Sequence, residues 1–147
     1  QYEVSAYSRH GCNCRHNSNY WSFGDYLGIG AGAHGKISFA DGRITRYAKR
    51  RQPQDYLFAE PGKFTASTRT LDHHETVGEF MMNALRLNQG FTLGQFTSRT
   101  GLALEHLQPQ LALLCQRELL ERDADIVRAT GIGRRFLDTV IAEFFPE

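Results

Sequence analysis

The sequence predicts an α+β fold in which short strands and loops come first and helices dominate the rest. Three observations predict it. Apolar and polar residues alternate in YEVSAYS and again on both sides of Ala40-Asp41-Gly42, as they do in half-buried strands. From Asp72 onward apolar residues recur at spacings of three and four, which is the helical period. Between the two regimes lies a linker carrying Pro53, Pro61 and Gly62.

Taken in order, Tyr2, Val4 and Ala6 predict a strand with one buried face. A polar loop follows from Ser8 to Asp25, and then YLGIGAG. The segments ISF and RITRY predict a hairpin, because Asp41 and Gly42 tolerate the positive φ that a tight turn needs. Past the linker, Asp72 and Glu75 form an N-terminal capping pattern. Val77, Phe80, Met81, Ala84 and Leu85 then share one helical face until Gly90 stops it. A short helix spans Leu93 to Arg99 and ends at Gly101, and another runs from about Leu107 to Leu120 with Pro109 in its first turn. DIVRAT reads as a strand. Phe136, Leu137, Val140, Ile141, Phe144 and Phe145 make the apolar face of a closing helix. Helix, helix, helix, strand, helix is the outline of a winged-helix module. The predicted division is 1–50 for the strands, 51–69 for the linker and 70–147 for the helical domain.

Composition limits the function. The chain has 147 residues, 41% hydrophobic, and 17 Lys and Arg against 16 Asp and Glu, so a net charge of +1 provides no field to gather nucleic acid or anionic membrane. The segment from Gly101 to Gln116, where a winged helix would place its recognition helix, contains no Lys or Arg. Phosphate neutralisation by those residues dominates such binding, so no nucleic-acid partner is expected. Arg greatly outnumbers Lys, which leans towards fixed ion pairs and anion contacts. No apolar run approaches the roughly 18 residues of a membrane span, and no signal peptide precedes Gln1, so a cytoplasmic location is expected. Three cysteines, an odd number, argue against a secreted disulfide framework. Because the chain opens in the middle of a strand pattern, it reads as part of something longer, and residues 1–50 without their strand neighbours would expose edges that favour pairing with another copy.

GIGAGAHGKI, residues 28–37, fits both GxGxxG and GxxxxGK. Neither context is right. A phosphate loop needs Ser or Thr after the lysine and a following helix, whereas Ile37 follows Lys36 and a hairpin comes next. The dinucleotide fingerprint needs the same helix. What survives is bare backbone at Gly28, Gly30, Gly32 and Gly35, open to a ligand or packed tightly within a barrel. In RHNSNYW, His16, Asn17, Tyr20 and Trp21 fall within six residues, with His10 and Tyr26 nearby. Imidazole is the commonest protein ligand of haem iron and aromatic rings suit a flat macrocycle, so the cluster could seat a porphyrin; the alternative is a local core. His10, Cys12, Cys14 and His16 alternate, but at ~3.3 Å per residue a strand would spread them over roughly 20 Å, too far for one tetrahedral ion. Cys12 and Cys14 are read as incidental thiols and Cys115 as core. His73, His74, Arg134 and Arg135 are read as solvated.

YEVSAYS, RHNSNYW, GDYLGIGAGAHG, EFMMNALRL and the closing DTVIAEFF resemble, in that order, the C-terminal part of the HemW family. These are radical S-adenosylmethionine proteins akin to oxygen-independent coproporphyrinogen III oxidase. The resemblance implies that residues 1–50 are the last strands of a partial (β/α) barrel and that 70–147 are the family's C-terminal helical domain. It implies haem binding through HNxxYW, here His16, Asn17, Tyr20 and Trp21, with His16 the iron ligand. It places S-adenosylmethionine near Gly28, Gly30, Gly32 and Ala33. It also implies a respiratory protein as haem acceptor, and through that partner a peripheral membrane association. The family's 4Fe-4S cluster sits on CxxxCxxC, a spacing that Cys12, Cys14 and Cys115 cannot make, so this chain alone is expected to hold no cluster and no catalytic residue. A coproporphyrinogen oxidase is the alternative function.

Overall fold

The computed structural model describes residues 1–145. Its elements in chain order begin with α1 (Arg15–Trp21), β1 (His34–Ser38), β2 (Ile44–Lys49), α2 (Pro53–Leu57) and β3 (Thr65–Thr70). They continue with α3 (His73–Ala84), β4 (Phe91–Thr92), α4 (Leu93–Thr100), α5 (Gln110–Gln116), β5 (Leu120–Asp123), β6 (Ile126–Ala129), α6 (Gly131–Arg135) and α7 (Leu137–Ala142). The fold is mixed α and β with two small sheets. Two compact units divide the chain. One joins Gln1–Phe23 to the residues from His73 onward, and the other is Gly24–Asp72. Residues 146 and 147 of the expected helical domain lie outside the described residues.

The smaller unit is an antiparallel sheet in the order β1-β2-β3. Its hairpin forms where the sequence placed it. Gly42 has φ +86, and the Asp41 carboxylate accepts from the Arg43 amide and guanidinium. The stretch read as a linker holds α2, started by Pro53, and most of β3. Thr and Ser suit a strand, but TASTRT has no apolar alternation to reveal it, and its side chains are mostly exposed.

The larger unit is built on α3, where Val77, Phe80, Met81, Ala84 and Leu85 are all buried as the periodicity requires. Phe80 is at the centre. Its ring meets those of Phe23, Phe91 and Phe96 edge-on, at 5.6, 5.0 and 5.1 Å between centroids. Thr92 caps α4 by accepting from the Gln95 amide at 3.0 Å, and left-handed Gly101 ends it. The predicted helix from Leu107 is shorter than expected. A 3-10 turn covers Leu104–Leu107, and α5 begins only at Gln110, because Pro109 cannot donate an amide and biases Gln108 to the extended conformation it adopts. Glu118 at φ +57 then reverses the chain into β5. DIVRAT supplies β6, which lies between β4 and β5. The closing helix is two helices broken at Phe136, whose side chain is 57% exposed, while Leu137, Val140 and Phe144 are buried.

Two segments near the N-terminus differ from expectation. YEVSAYS is a turn with isolated bridges from Glu3 to Ala6 and Leu87, and the expected face is not kept: Tyr2 and Ala6 are half-buried, Val4 is 45% exposed, and Glu3 is the buried residue at 1%. The ion pair of buried Glu3 with Arg86 outweighs the apolar alternation. The polar loop from Ser8 to Asp25 contains α1, so HNxxYW is helical.

Candidate functional site

An α-helix turns roughly 100° per residue, so side chains four apart fall in one row. On α1 this sorts the four predicted residues into two rows. His16 and Tyr20 form the first. The imidazole is exposed and meets the half-buried Tyr20 ring edge-on, with centroids 5.0 Å apart. Asn17 and Trp21 form the second, both half-buried.

Trp21 is held by residues that the sequence did not single out. The Arg86 guanidinium lies 4.5 Å from the centre of the indole, a cation–π contact, and its Nε donates to Glu3 Oε1 at 2.6 Å. Glu3 Oε2 accepts from the amide and hydroxyl of Ser5 at 2.9 and 3.1 Å. Burial pushes the Glu3 carboxyl up, but the Ser5 amide and the Arg86 guanidinium outweigh it and hold the group below its usual range. Trp21 Nε1 is buried and has no hydrogen-bond partner among the described residues. The only sequence signal for this arrangement is the charge of Glu3 inside an apolar alternation. Its partner is 83 residues away.

The other sequence candidates are dispersed. Cys12 and Cys14 are exposed free thiols, and no group of three or more metal-ligating side chains is gathered among the described residues. Cys115, read as core, is only half-buried, and burial raises its thiol pKa despite the nearby Arg122. Arg134, read as solvated, donates to Asn88 Oδ1 at 2.5 Å. His73 and His74 are exposed as expected.

In the smaller unit the glycine segment is a loop leading into β1. Its amides are committed. Gly28 donates to the Tyr47 hydroxyl at 2.8 Å and Gly30 to the Tyr56 hydroxyl at 3.2 Å. The Gly32 amide reaches the Arg50 carbonyl and that of Ala33 the Gly30 carbonyl. A Cβ on Gly28 would stand 2.2 Å from the His34 carbonyl oxygen, and one on Gly35 would be 2.1 Å from the Tyr47 ring. Close packing therefore explains Gly28 and Gly35, positive φ (+105 and +70) explains Gly30 and Gly32, and the loop fits a tight turn better than an amide cradle for an anion. Lys36 is 1% exposed and bound to Asp25 at 2.8 Å and to the Ser38 hydroxyl at 3.1 Å, so it is not free for a phosphate. Burial raises the Asp25 carboxyl, but hydrogen bonds from Lys36 and Ser38 prevail and lower it. Leu27 and Ile29 stand exposed on the loop at 71% and 84%.

Residues 71–136 match the HemN C-terminal domain family. Over its whole length the chain is 40% identical to the heme chaperone HemW of Escherichia coli (strain K12) and 37% identical to that of Haemophilus influenzae. It is also 31% identical to the one from Bacillus subtilis (strain 168) over 150 residues. The chain spans 38% of the length of each of these relatives. Among solved structures, coproporphyrinogen III oxidase (HemN) from Escherichia coli, described as a radical SAM enzyme, is similar with a TM-score of 0.55. The match covers 82% of this chain and 28% of that one at 17% identity, a likeness of fold alone.

Proposed function

The chain belongs to the HemW family, and from that premise we propose that it is the haem-binding portion of a radical-SAM-type haem chaperone, with α1 as the binding segment. The observation that carries this is the presentation of His16. Its imidazole is exposed on a short helix beside the Tyr20 ring, while the neighbouring row is anchored by Trp21 and Arg86. A neutral imidazole offers a nitrogen lone pair to iron, and a flanking aromatic edge suits a flat macrocycle. His16 would ligate the haem iron, Tyr20 would pack against the ring, and Asn17 and Trp21 would hold the helix in place.

The rest of the reading concerns a larger protein. There, residues 1–50 would be the last strands of a partial barrel, 51–69 the connection, and 70–147 a winged-helix-like domain. S-adenosylmethionine would lie near Gly28, Gly30, Gly32 and Ala33, and a 4Fe-4S cluster would need cysteines beyond the three here. The committed amides leave only the family likeness and the exposed Leu27 and Ile29 to support that position. The haem acceptor would be a respiratory protein, with membrane association only through it and a cytoplasmic location otherwise. No helix among the described residues is long and apolar enough to cross a membrane. The oxidase reading is less favoured, because the relatives matched over the full chain at 31–40% are named chaperones, whereas the oxidase matches at 17%.

The test is a hemin titration of the 147-residue chain followed in the Soret region. The unmodified chain is expected to shift the band and the His16→Ala variant to lose the shift. An unchanged spectrum with the unmodified chain rejects the proposal.

A further inference from the structure

A third row of α1 remains. Arg15, Ser18, Asn19 and Ser22 follow one another along the helix about 100° from the row of His16 and Tyr20. Together with Asn13 and with Arg99 at the end of α4, they line a cleft of about 440 Å³. Its chemistry is one-sided. Gly11 completes the wall and supplies no side chain, and neither Asp nor Glu lines it. Both guanidinium groups are exposed, and neither has an acidic partner among the described residues. Elsewhere in this unit Arg86, Arg117 and Arg128 are each paired with a glutamate. Two unneutralised guanidiniums facing one polar cleft, with hydroxyl and amide groups between them, form a receptor for carboxylates.

We infer that the Arg15–Arg99 cleft receives the propionate carboxylates of the tetrapyrrole whose iron is held by His16. This rests on the haem-binding reading above and deepens it. Haem is a flat apolar ring with an iron centre and two carboxylate arms on one edge. A site exposing only an imidazole and an aromatic edge would hold its centre and leave its orientation free. An anion cleft one helical row away fixes which edge faces the protein. It also separates free haem from any tetrapyrrole whose carboxylates are esterified or lost.

The experiment titrates the 147-residue chain with three probes in the same mild detergent: hemin, metal-free protoporphyrin IX, and hemin dimethyl ester, which has no free carboxylate. Replacing both arginines (Arg15→Ala with Arg99→Ala) is expected to weaken hemin and protoporphyrin IX by on the order of tenfold per arginine, and to leave the ester unaffected. Lysine at both positions should restore part of the loss. His16→Ala should show the opposite selectivity, weakening hemin and the ester but not protoporphyrin IX. Equal hemin binding by the double variant and the unmodified chain overturns the cleft while leaving His16 ligation intact. A loss for the ester as large as that for hemin overturns it too, since helix damage would then be the cause. Failure of the unmodified chain to bind either hemin or protoporphyrin IX removes the haem reading and the cleft together.

Discussion

Arg86→Ala tests whether α1 is held by an ion pair. In the folded chain Glu3 is 1% exposed, and its cationic partner among the described residues is Arg86, whose side chain is 31% exposed. Removing one member of a fully buried pair costs ~3–5 kcal/mol, and the partial exposure of Arg86 brings this to about 2–3 kcal/mol. The lost stacking on Trp21 adds ~0.5–1 kcal/mol, so the variant should be about 3 kcal/mol less stable at pH 7. Trp21, the only tryptophan, reports unfolding in urea. The pH dependence supplies a second check. Glu3 has an ordinary value of 4.5 and a depressed one when folded, so the pair contributes fully above pH 4.5 and is lost as pH falls through the depressed value. In Arg86→Ala only the Ser5 hydrogen bonds still oppose burial, so the Glu3 carboxyl rises relative to the unmodified chain, and protonation relieves the uncompensated charge. The difference between the two proteins should therefore narrow as pH falls from 7 to 4. Adding Glu3→Gln to the variant should recover part of the loss. A difference under about 1 kcal/mol at pH 7, or one that does not change by pH 4, would refute the account.

Three further outcomes follow from the packing. Phe80→Ala removes the ring shared by Phe23, Phe91 and Phe96 and should cost ~3–5 kcal/mol in urea unfolding. Gly90→Ala places a Cβ at 2.0 Å from the Val127 carbonyl oxygen in a residue at φ +69, so β6 must move; thermal denaturation should show a loss of about 3 kcal/mol or an insoluble chain. Gly35→Ala pushes aside the Tyr47 ring and removes its hydrogen bond to the Gly28 amide, which should cost ~1–3 kcal/mol and speed hydrogen exchange at Gly28.

The legible parts of the fold are those that one local rule decides. α3 follows from apolar residues at helical spacing, the end of α4 from its Gly101 stop, and the β1–β2 hairpin from Asp41-Gly42. Where a distant partner decides, the sequence misleads. Glu3 is buried against the alternation because Arg86 lies across from it, and β3 is hidden because an exposed strand of Thr and Ser has no period to read. The predicted apolar face of the closing helix is kept only in part: Leu137, Val140 and Phe144 are buried, whereas Phe136 and Phe145 face solvent.

The sequence groups the HNxxYW residues as one set, and the helix that carries them divides that set in two. An alternating or loop reading treats all four as equivalent neighbours. Once the segment is a helix, His16 goes with Tyr20 and Asn17 with Trp21, and the two rows have different neighbours. One row offers an imidazole to solvent. The other is clamped by Arg86, whose position depends on a carboxylate that the apolar pattern would have turned outward. Presenting a ligand on so short a helix requires such an anchor, because seven residues gain little from their own hydrogen bonds. The physical separation of anchoring from presentation has a direct consequence. Changes at Glu3, Arg86 or Trp21 should weaken haem uptake through the stability of α1, whereas changes at His16 should abolish iron ligation in a protein that unfolds at the usual urea concentration.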